Sequence, residues 1–343
     1  MANPGVYRRL RDKFFPEGLP PAGSFEGQTV LVTGGTTGLG LAAAQHFAAL
    51  GAHVIITCRS KERGESVRHK IEQRGKGNIT IMELDMGYYS SCVSFVDELK
   101  KTQSAHGGLD CVILNAGSAR YSFVEGPEGW EETIQVNTLS TTLLGLLLLS
   151  WMKNKQKSRK SPAHLVFVTS RDHLDPDISK WAEWATRDGL LQHFSMKENW
   201  PAGEMNPNYA NSKLLVMYAV NELCRLAMGP DGKPCIIINT LCPGLVQTNI
   251  TRDVSNQPLL TKITVSLYFK ILAKSPNYGA RSYVNAVLKP QEEHGKFLIG
   301  AFTEEEYRND TGMEMQTIAW NEIIRELGSK VPDLNKVIDD LGQ

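Results

Sequence analysis

Seven short runs of β-branched and apolar residues, separated mainly by helix-patterned sequence, constrain this 343-residue chain more than any other feature. They are TVLVTGG (29–35), HVIITCR (53–59), ITIMELD (79–85), CVILNAG (111–117), HLVFVTS (164–170), CIIINTLCPG (235–244) and KFLIGA (296–301). Most are apolar almost throughout rather than at alternate positions. A strand that is apolar on both faces has to be covered on both, which calls for parallel strands with helices above and below. The pattern predicts an α/β fold, a doubly wound, seven-stranded, mostly parallel sheet.

Helices are expected at 38–50, where LGLAAAQHFAAL ends against Gly51, and over 61–74, 90–105, 129–153, 208–228, 279–289 and 311–328. No internal repeat or low-complexity tract divides the chain. The expected organisation is an N-terminal arm (1–26) that packs Phe14 and Phe15, a catalytic domain (27–301) and a helical C-terminal extension (302–343). Two stretches break the alternation: an insert at 171–207 carrying Trp181, Trp184, Phe194 and Trp200, and a stretch at 245–278. Both follow strands at the edge where doubly wound sheets place ligands, so they read as a wall and a lid over a pocket.

Composition removes several classes of function. Lys plus Arg equal Asp plus Glu at 37 each, so no net charge draws the chain to nucleic acid or anionic membrane. The six cysteines and eight histidines lack the close spacing of a structural zinc site. Reduced cysteines in apolar runs fit a cytoplasmic location. The N-terminus lacks the apolar core of a secretory signal. Residues 133–152 carry no charge, but eight hydroxyl or amide side chains suit a buried soluble helix better than a membrane span. The basic run KNKQKSRK then reads as that helix's solvated C-terminal end.

The first run leads through Thr33-Gly34-Gly35-Thr36-Thr37-Gly38-Leu39-Gly40 directly into an Ala-rich helix. Glycines there let the backbone turn tightly and bring helix N–H groups up to a pyrophosphate, which is the requirement of a dinucleotide site. The end of the second run, Thr57-Cys58-Arg59-Ser60-Lys61, has no carboxylate for a ribose 2′-hydroxyl. Arg59 could instead meet a 2′-phosphate, which predicts NADP(H), the alternative being a solvated arginine in a basic loop. Asp85, ending strand three, suits the adenine amino group, and Asn115-Ala116-Gly117 closes strand four against the cofactor.

Tyr209 and Lys213, in YANSK, are four apart on one helical face. An ammonium beside a phenol favours phenolate, so Tyr209 could exchange a proton with a carbonyl oxygen near neutrality. Ser170 could donate to that same oxygen, and Asn137 could hold a water linking Lys213 to solvent.

TGGTTGLG at 33–40, NAG at 115–117, Asn137, Ser170, YANSK at 209–213 and PG at 243–244 occur in an order that resembles the short-chain dehydrogenase/reductase family, over about residues 27–301. The glycine spacing is similar to the compact branch, and the length to the extended one. The resemblance implies a Rossmann-type fold and a tetrad: Tyr209 as acid or base, Lys213 lowering its pKa and binding nicotinamide ribose, Ser170 orienting the carbonyl, and Asn137 supporting a proton relay. It implies cofactor contacts at Gly34, Thr36, Thr37, Gly38, Leu39 and Gly40, at Arg59, Asp85 and Met86, and at Asn115, Ala116 and Gly117. Tyr209, Lys213, Pro243, Gly244 and Val246 complete the set, with Thr248 at the nicotinamide carboxamide.

Ser170 and Tyr209 stand 39 apart, far beyond the family's usual spacing. A Trp-rich surplus favours a bulky hydrophobic substrate, or else forms a flap packed for stability. The implied activity is NADPH-dependent reduction of a ketone or aldehyde, similar to fungal secondary-metabolite and retinol-dehydrogenase-like reductases. Rival readings are a non-catalytic NADP-binding regulator and an alcohol dehydrogenase or isomerase on the same fold. The helices at 133–152 and around Tyr209 resemble the family's dimer-forming pair, though their apolar faces would equally pack on the sheet.

Overall fold

The computed structural model describes residues 13–15, 17–73, 78–103, 107–156, 159, 161–201, 207–247, 270–300, 302–304 and 310–342. Its strands are β1 (Thr29–Val32), β2 (His53–Cys58), β3 (Asn78–Glu83), β4 (Cys111–Leu114), β5 (Ala163–Val168), β6 (Ile236–Cys242), β7 (Phe297–Ile299) and β8 (Phe302–Glu304). They form one sheet ordered β3-β2-β1-β4-β5-β6-β7-β8. The first seven are parallel, as the both-face apolar runs require, and β8 adds an antiparallel edge that the sequence reading did not include. Three residues at an edge are too few to show a period.

The helices are α1 (Gly38–Ala49), α2 (Lys61–Glu72), α3 (Tyr89–Gln103), α4 (Glu132–Lys155), α5 (Trp181–Arg187), α6 (Leu190–Ser195), α7 (Pro207–Leu226), α8 (Pro276–Gly279), α9 (Arg281–Ala286), α10 (Asp310–Lys330) and α11 (Leu334–Gly342). Alternate strand residues divide the core. Leu31, Ile55, Val112 and Leu165 face α3, α4, α7 and α10, while Val30, Val54, Ile113 and Val166 face α1, α2 and α9.

Helix α4 is long and apolar enough to cross a membrane, yet 89% of its most apolar stretch is buried inside the protein. Its Leu-rich faces and those of α7 lie in the chain's own core. Phe14 and Phe15, expected to pack, are 67% and 79% exposed. Lys13 Nζ reaches the carbonyls of Lys270 and Ile271 at 2.6 and 2.9 Å, fixing that end of the arm while leaving the rings outside. The packed aromatic of the arm is Phe25, edge-on to Phe47 at 5.1 Å.

The insert is turned inward. Trp181 and Phe194 are buried, with ring centroids 5.3 Å apart, and Trp184 stacks on His193 at 3.9 Å. Their cover is α10, whose Glu322 carboxylate accepts from the N–H groups of Leu190 and Leu191 at 2.9 and 3.1 Å, capping α6. Only Trp200 of the four large aromatics meets a loop from another strand, edge-on to Phe123 at 5.9 Å. Its described residues up to Trp200 are therefore packed as a wall. Of the expected lid, residues 248–269 lie outside the described residues.

His164 on β5 gives the fold a pH signature. Its Nδ1 has no hydrogen-bond partner among the described residues, and burial pushes its pKa down to about 4. The unfolded chain then binds the extra proton between about pH 6.5 and 4, so stability falls as pH drops through that window, by up to about 3 kcal/mol. Urea midpoints at pH 7 and 4.5 should differ less in His164→Gln than in the native protein. Equal slopes would assign acid sensitivity to the other buried histidines, His46 and His294, whose pKa values burial also lowers.

Candidate active site

The strand order reverses between the parallel neighbours β1 and β4, where doubly wound folds open a crevice at the C-terminal strand ends. The turn after β1 lies in it. Gly34 has φ +65°, and its N–H is held by Thr57 Oγ1 at 3.2 Å. At Gly40 a Cβ would stand 2.5 Å from the Gly34 carbonyl and 2.6 Å from Asn115 Nδ2, so the turn closes only on glycine. Gly38 begins α1, whose N-cap Thr37 makes no side-chain cap bond and whose first turn holds no acidic residue. Thr36 and Leu39 flank this bare N-terminus, half-buried. A glycine cradle before uncapped N–H groups suits a phosphate.

The other expected cofactor residues fall around the same edge. Asn115 is a structural tie: Nδ2 donates to Thr33 O at 2.9 Å and Oδ1 accepts from Tyr283 Oη at 2.8 Å. Ala116 N and Asn115 N both donate to Thr33 Oγ1, which locks β4's end to β1. Asp85 lies two residues beyond β3 rather than ending it. One of its oxygens accepts from Gly87 N at 2.9 Å. The Met86 side chain is buried in the core, and its carbonyl accepts from Ser140 Oγ at 2.6 Å. Arg59 is exposed just past β2 and makes no ion pair or hydrogen bond among the described residues. Pro243, Gly244 and Val246 follow β6, and Thr248 lies outside the described residues.

Ser170, Tyr209, Lys213 and Asn137 converge despite the 39-residue separation of the first two. Ser170 caps the 3-10 turn Arg171–Leu174, accepting from Asp172 N at 3.3 Å, and its hydroxyl lies near enough to the Tyr209 phenol to favour the phenolate. Lys213 Nζ donates to Val168 O at 3.1 Å and lies 5.5 Å from the Tyr209 ring centre. Asn137 sits in a π-helical turn, Gln135–Ser140, inside α4. Its Oδ1 accepts from Ser118 N at 2.8 Å, and its Nδ2 donates to Ser118 O and Ser212 Oγ at 2.8 and 3.0 Å. It therefore pins the loop after β4 to α7. Gly117 stands between Asn137 and Lys213: a Cβ there would lie 3.2 Å from Asn137 Oδ1 and 3.8 Å from Lys213 Nζ.

The electrostatics differ from the expectation for Tyr209. Burial pushes the phenol above its ordinary value, Asp172 and Cys242 add to that, and only the Ser170 hydroxyl opposes it. Lys213 does not reverse this, because burial disfavours its charge too and lowers its pKa to about 8. The site thus combines a protonated phenol with an amine that titrates near neutrality.

Four residues that the sequence did not reveal complete the arrangement. The Asp172 carboxyl, beside Ser170, is raised above the usual range by burial. His173 Nδ1 bonds Ser170 O at 2.6 Å. At the start of α7, Asn208 Nδ2 donates to buried Glu131 at 3.1 Å and to Phe194 O at 2.8 Å, fastening the turn that carries Tyr209. Spacing could have exposed Asp172 and His173, two and three residues past Ser170. The Glu131–Asn208 contact joins residues 77 apart and left no local signal.

A family model described as short chain dehydrogenase matches residues 28–185. The chain is 32% identical to a short-chain dehydrogenase/reductase of Aspergillus flavipes, covering 93% of this chain and 92% of that one. It is also 32% identical to one of Phaeosphaeria nodorum, with the same coverage. Among solved structures it is similar to L-sorbose reductase from Gluconobacter frateurii complexed with NADPH and L-sorbose, at TM-score 0.60 and 17% identity over 82% of this chain and 98% of that one. A 3-oxoacyl (acyl-carrier-protein) reductase from Agrobacterium tumefaciens with NADP bound aligns at TM-score 0.57 and 20% identity, over 81% and 95%.

Proposed function

The chain belongs to the short-chain dehydrogenase/reductase family of oxidoreductases, and from that premise we propose that it reduces a ketone or aldehyde on a bulky hydrophobic small molecule, a polyketide-like or other secondary metabolite, using NADPH. The observation that carries the reading is the convergence of Ser170, Tyr209 and Lys213, with a phenol that burial keeps protonated. A bound dinucleotide supplies the hydride, and the chain's residues do the rest. Ser170 and Tyr209 orient the carbonyl oxygen, and Tyr209 delivers its proton there. Lys213 then returns a proton to the phenol, which an amine with a pKa of about 8 can do near neutral pH. Asn137 holds the loop and helix that frame this relay.

The residues fit the cofactor at both charged ends. The Gly34–Gly40 cradle and bare α1 N-terminus suit a diphosphate, and the guanidinium of Arg59, unpaired among the described residues, suits a 2′-phosphate. The NADP(H)-bound solved neighbours agree with this preference. The hydrophobic substrate rests on the family likeness and on the Phe123–Trp200 pair at the strand-exit loops, since the insert's other aromatics belong to the core. We place the enzyme in the cytoplasm.

Fluorescence titration with NADPH and NADH tests the cofactor choice. The native protein should prefer NADPH, and Arg59→Asp should lose roughly tenfold or more in NADPH affinity without losing NADH. Equal affinity of the native protein for both would remove Arg59 from the argument. Product mass separates the reactions: reduction adds two hydrogens, isomerisation none.

A further inference from the structure

Lys274 is a buried lysine beside which none of the described residues sets an anion. It is 8% exposed, and among the described residues its Nζ makes no ion pair and no hydrogen bond. The other charged groups buried to this degree in the site region have partners: Lys213 donates to Val168 O, and Glu131 accepts from Thr133, Ile134 and Asn208. Burying a lysine side chain without a counter-charge is costly, and such a group persists where a ligand supplies the missing partner.

Its position is tightly set. Lys274 N donates to Leu245 O at 2.9 Å and its carbonyl accepts from Gln247 N at 3.0 Å, a two-residue parallel bridge to the segment leaving β6. Ser275 then caps α8, accepting from Tyr278 N at 3.2 Å. Gly279, closing α8, lies so near the neighbouring segments that a Cβ there would meet Val246 at 2.6 Å and Leu39 at 2.9 Å. Lys274 is thereby fixed against the exit of β6, five residues before the helix end that meets Leu39 of α1. Its Nζ ends 3.5 Å from where Gly244 would carry a Cβ, and its charge acts on the Cys242 thiol.

Resting on the cofactor reading above, we propose that Lys274 pairs with the diphosphate of the bound dinucleotide, supplementing the bare N-terminus of α1. The 2′-phosphate is a poorer partner on distance. Arg59 stands at the end of β2, and β2 and β6 are separated by β1, β4 and β5, about 19 Å at the usual strand spacing. One phosphate cannot meet both ends, whereas a diphosphate crossing the crevice between them can meet Lys274.

Direct binding is the readout. Native protein, Lys274→Met and Lys274→Arg are titrated with NADP+, NAD+ and 2′-AMP, which lacks the diphosphate, and their folding is compared by circular dichroism. Lys274→Met should weaken NADP+ and NAD+ alike, about tenfold to a hundredfold, leave 2′-AMP within about twofold, and be largely rescued in Lys274→Arg. If Lys274→Met fails to fold, Lys274→Gln carries the same expectation. Native-like affinity for both dinucleotides in the neutral variants would overturn the assignment. So would an equal loss for 2′-AMP, which would mark Lys274 as purely structural. If the native protein binds neither dinucleotide, the cofactor reading itself fails and takes this inference with it.

Discussion

Tyr209→Phe is expected to reduce turnover by roughly 10²- to 10⁴-fold while leaving dinucleotide affinity within a few-fold. The substitution removes one hydroxyl and keeps the ring, so the half-buried side chain retains its packing on α7. What is lost is the proton donor that faces Ser170. The size follows from the state of the phenol. Burial, Asp172 and Cys242 all push its pKa up, so near neutrality the group is an acid, the form that a carbonyl reduction consumes. Single-turnover rates with saturating NADPH, set beside titrations of the same variant, separate loss of chemistry from loss of binding. Unchanged rates would end the reductase reading and favour the cofactor-binding regulator.

The parts of this site that were legible in the sequence are those set by local geometry. Tyr209 and Lys213 share a face because the helical repeat puts residues four apart together. Gly34 and Gly40 could be read because a turn between a strand and a helix leaves no room for side chains. Ser170 was placed by its position at the end of the fifth run, and an insert of any length leaves the strand end where it is. The seven parallel strands were legible for a similar reason, since an apolar run covered on both faces has few other uses. What local pattern could not show was the phenol's environment. Asp172, Cys242 and Ser170 reach Tyr209 from two different strand ends, so the sign of its shift depends on tertiary burial rather than on the nearby lysine. The aromatic residues of the insert had the same ambiguity. Tryptophan in a sequence announces burial without naming the surface that covers it, and here the cover lies more than a hundred residues away in α10.

That cover is the basis of the second large effect. Deleting residues 310–343 is expected to abolish folding rather than merely to expose the pocket. Met315, Ile323, Leu327 and Val331 of the α10 stretch and Leu334 and Leu341 of α11 are all at most 4% exposed. At about 1.5–3 kcal/mol for each buried apolar side chain, their loss comes to roughly 9–18 kcal/mol. A domain's whole stability is about 5–15 kcal/mol. The deletion would also strip the cap from α6 and leave Trp130 Nε1 and Tyr89 Oη without the Glu326 carboxylate they donate to, at 2.8 and 3.2 Å. Unpaired buried donors add to the cost. Because α10 packs on both the insert and α7, the damage would reach the helix that carries Tyr209. A graded version is Ile323→Ala, which should lower stability by about 2–5 kcal/mol while leaving dinucleotide affinity near native at low temperature. Chemical denaturation of that variant and soluble yield of the deletion are the measurements. A deleted chain that melts cooperatively within a few degrees of the native protein would show that the extension is an appendage. The aromatics of the insert would then be free to serve the substrate after all.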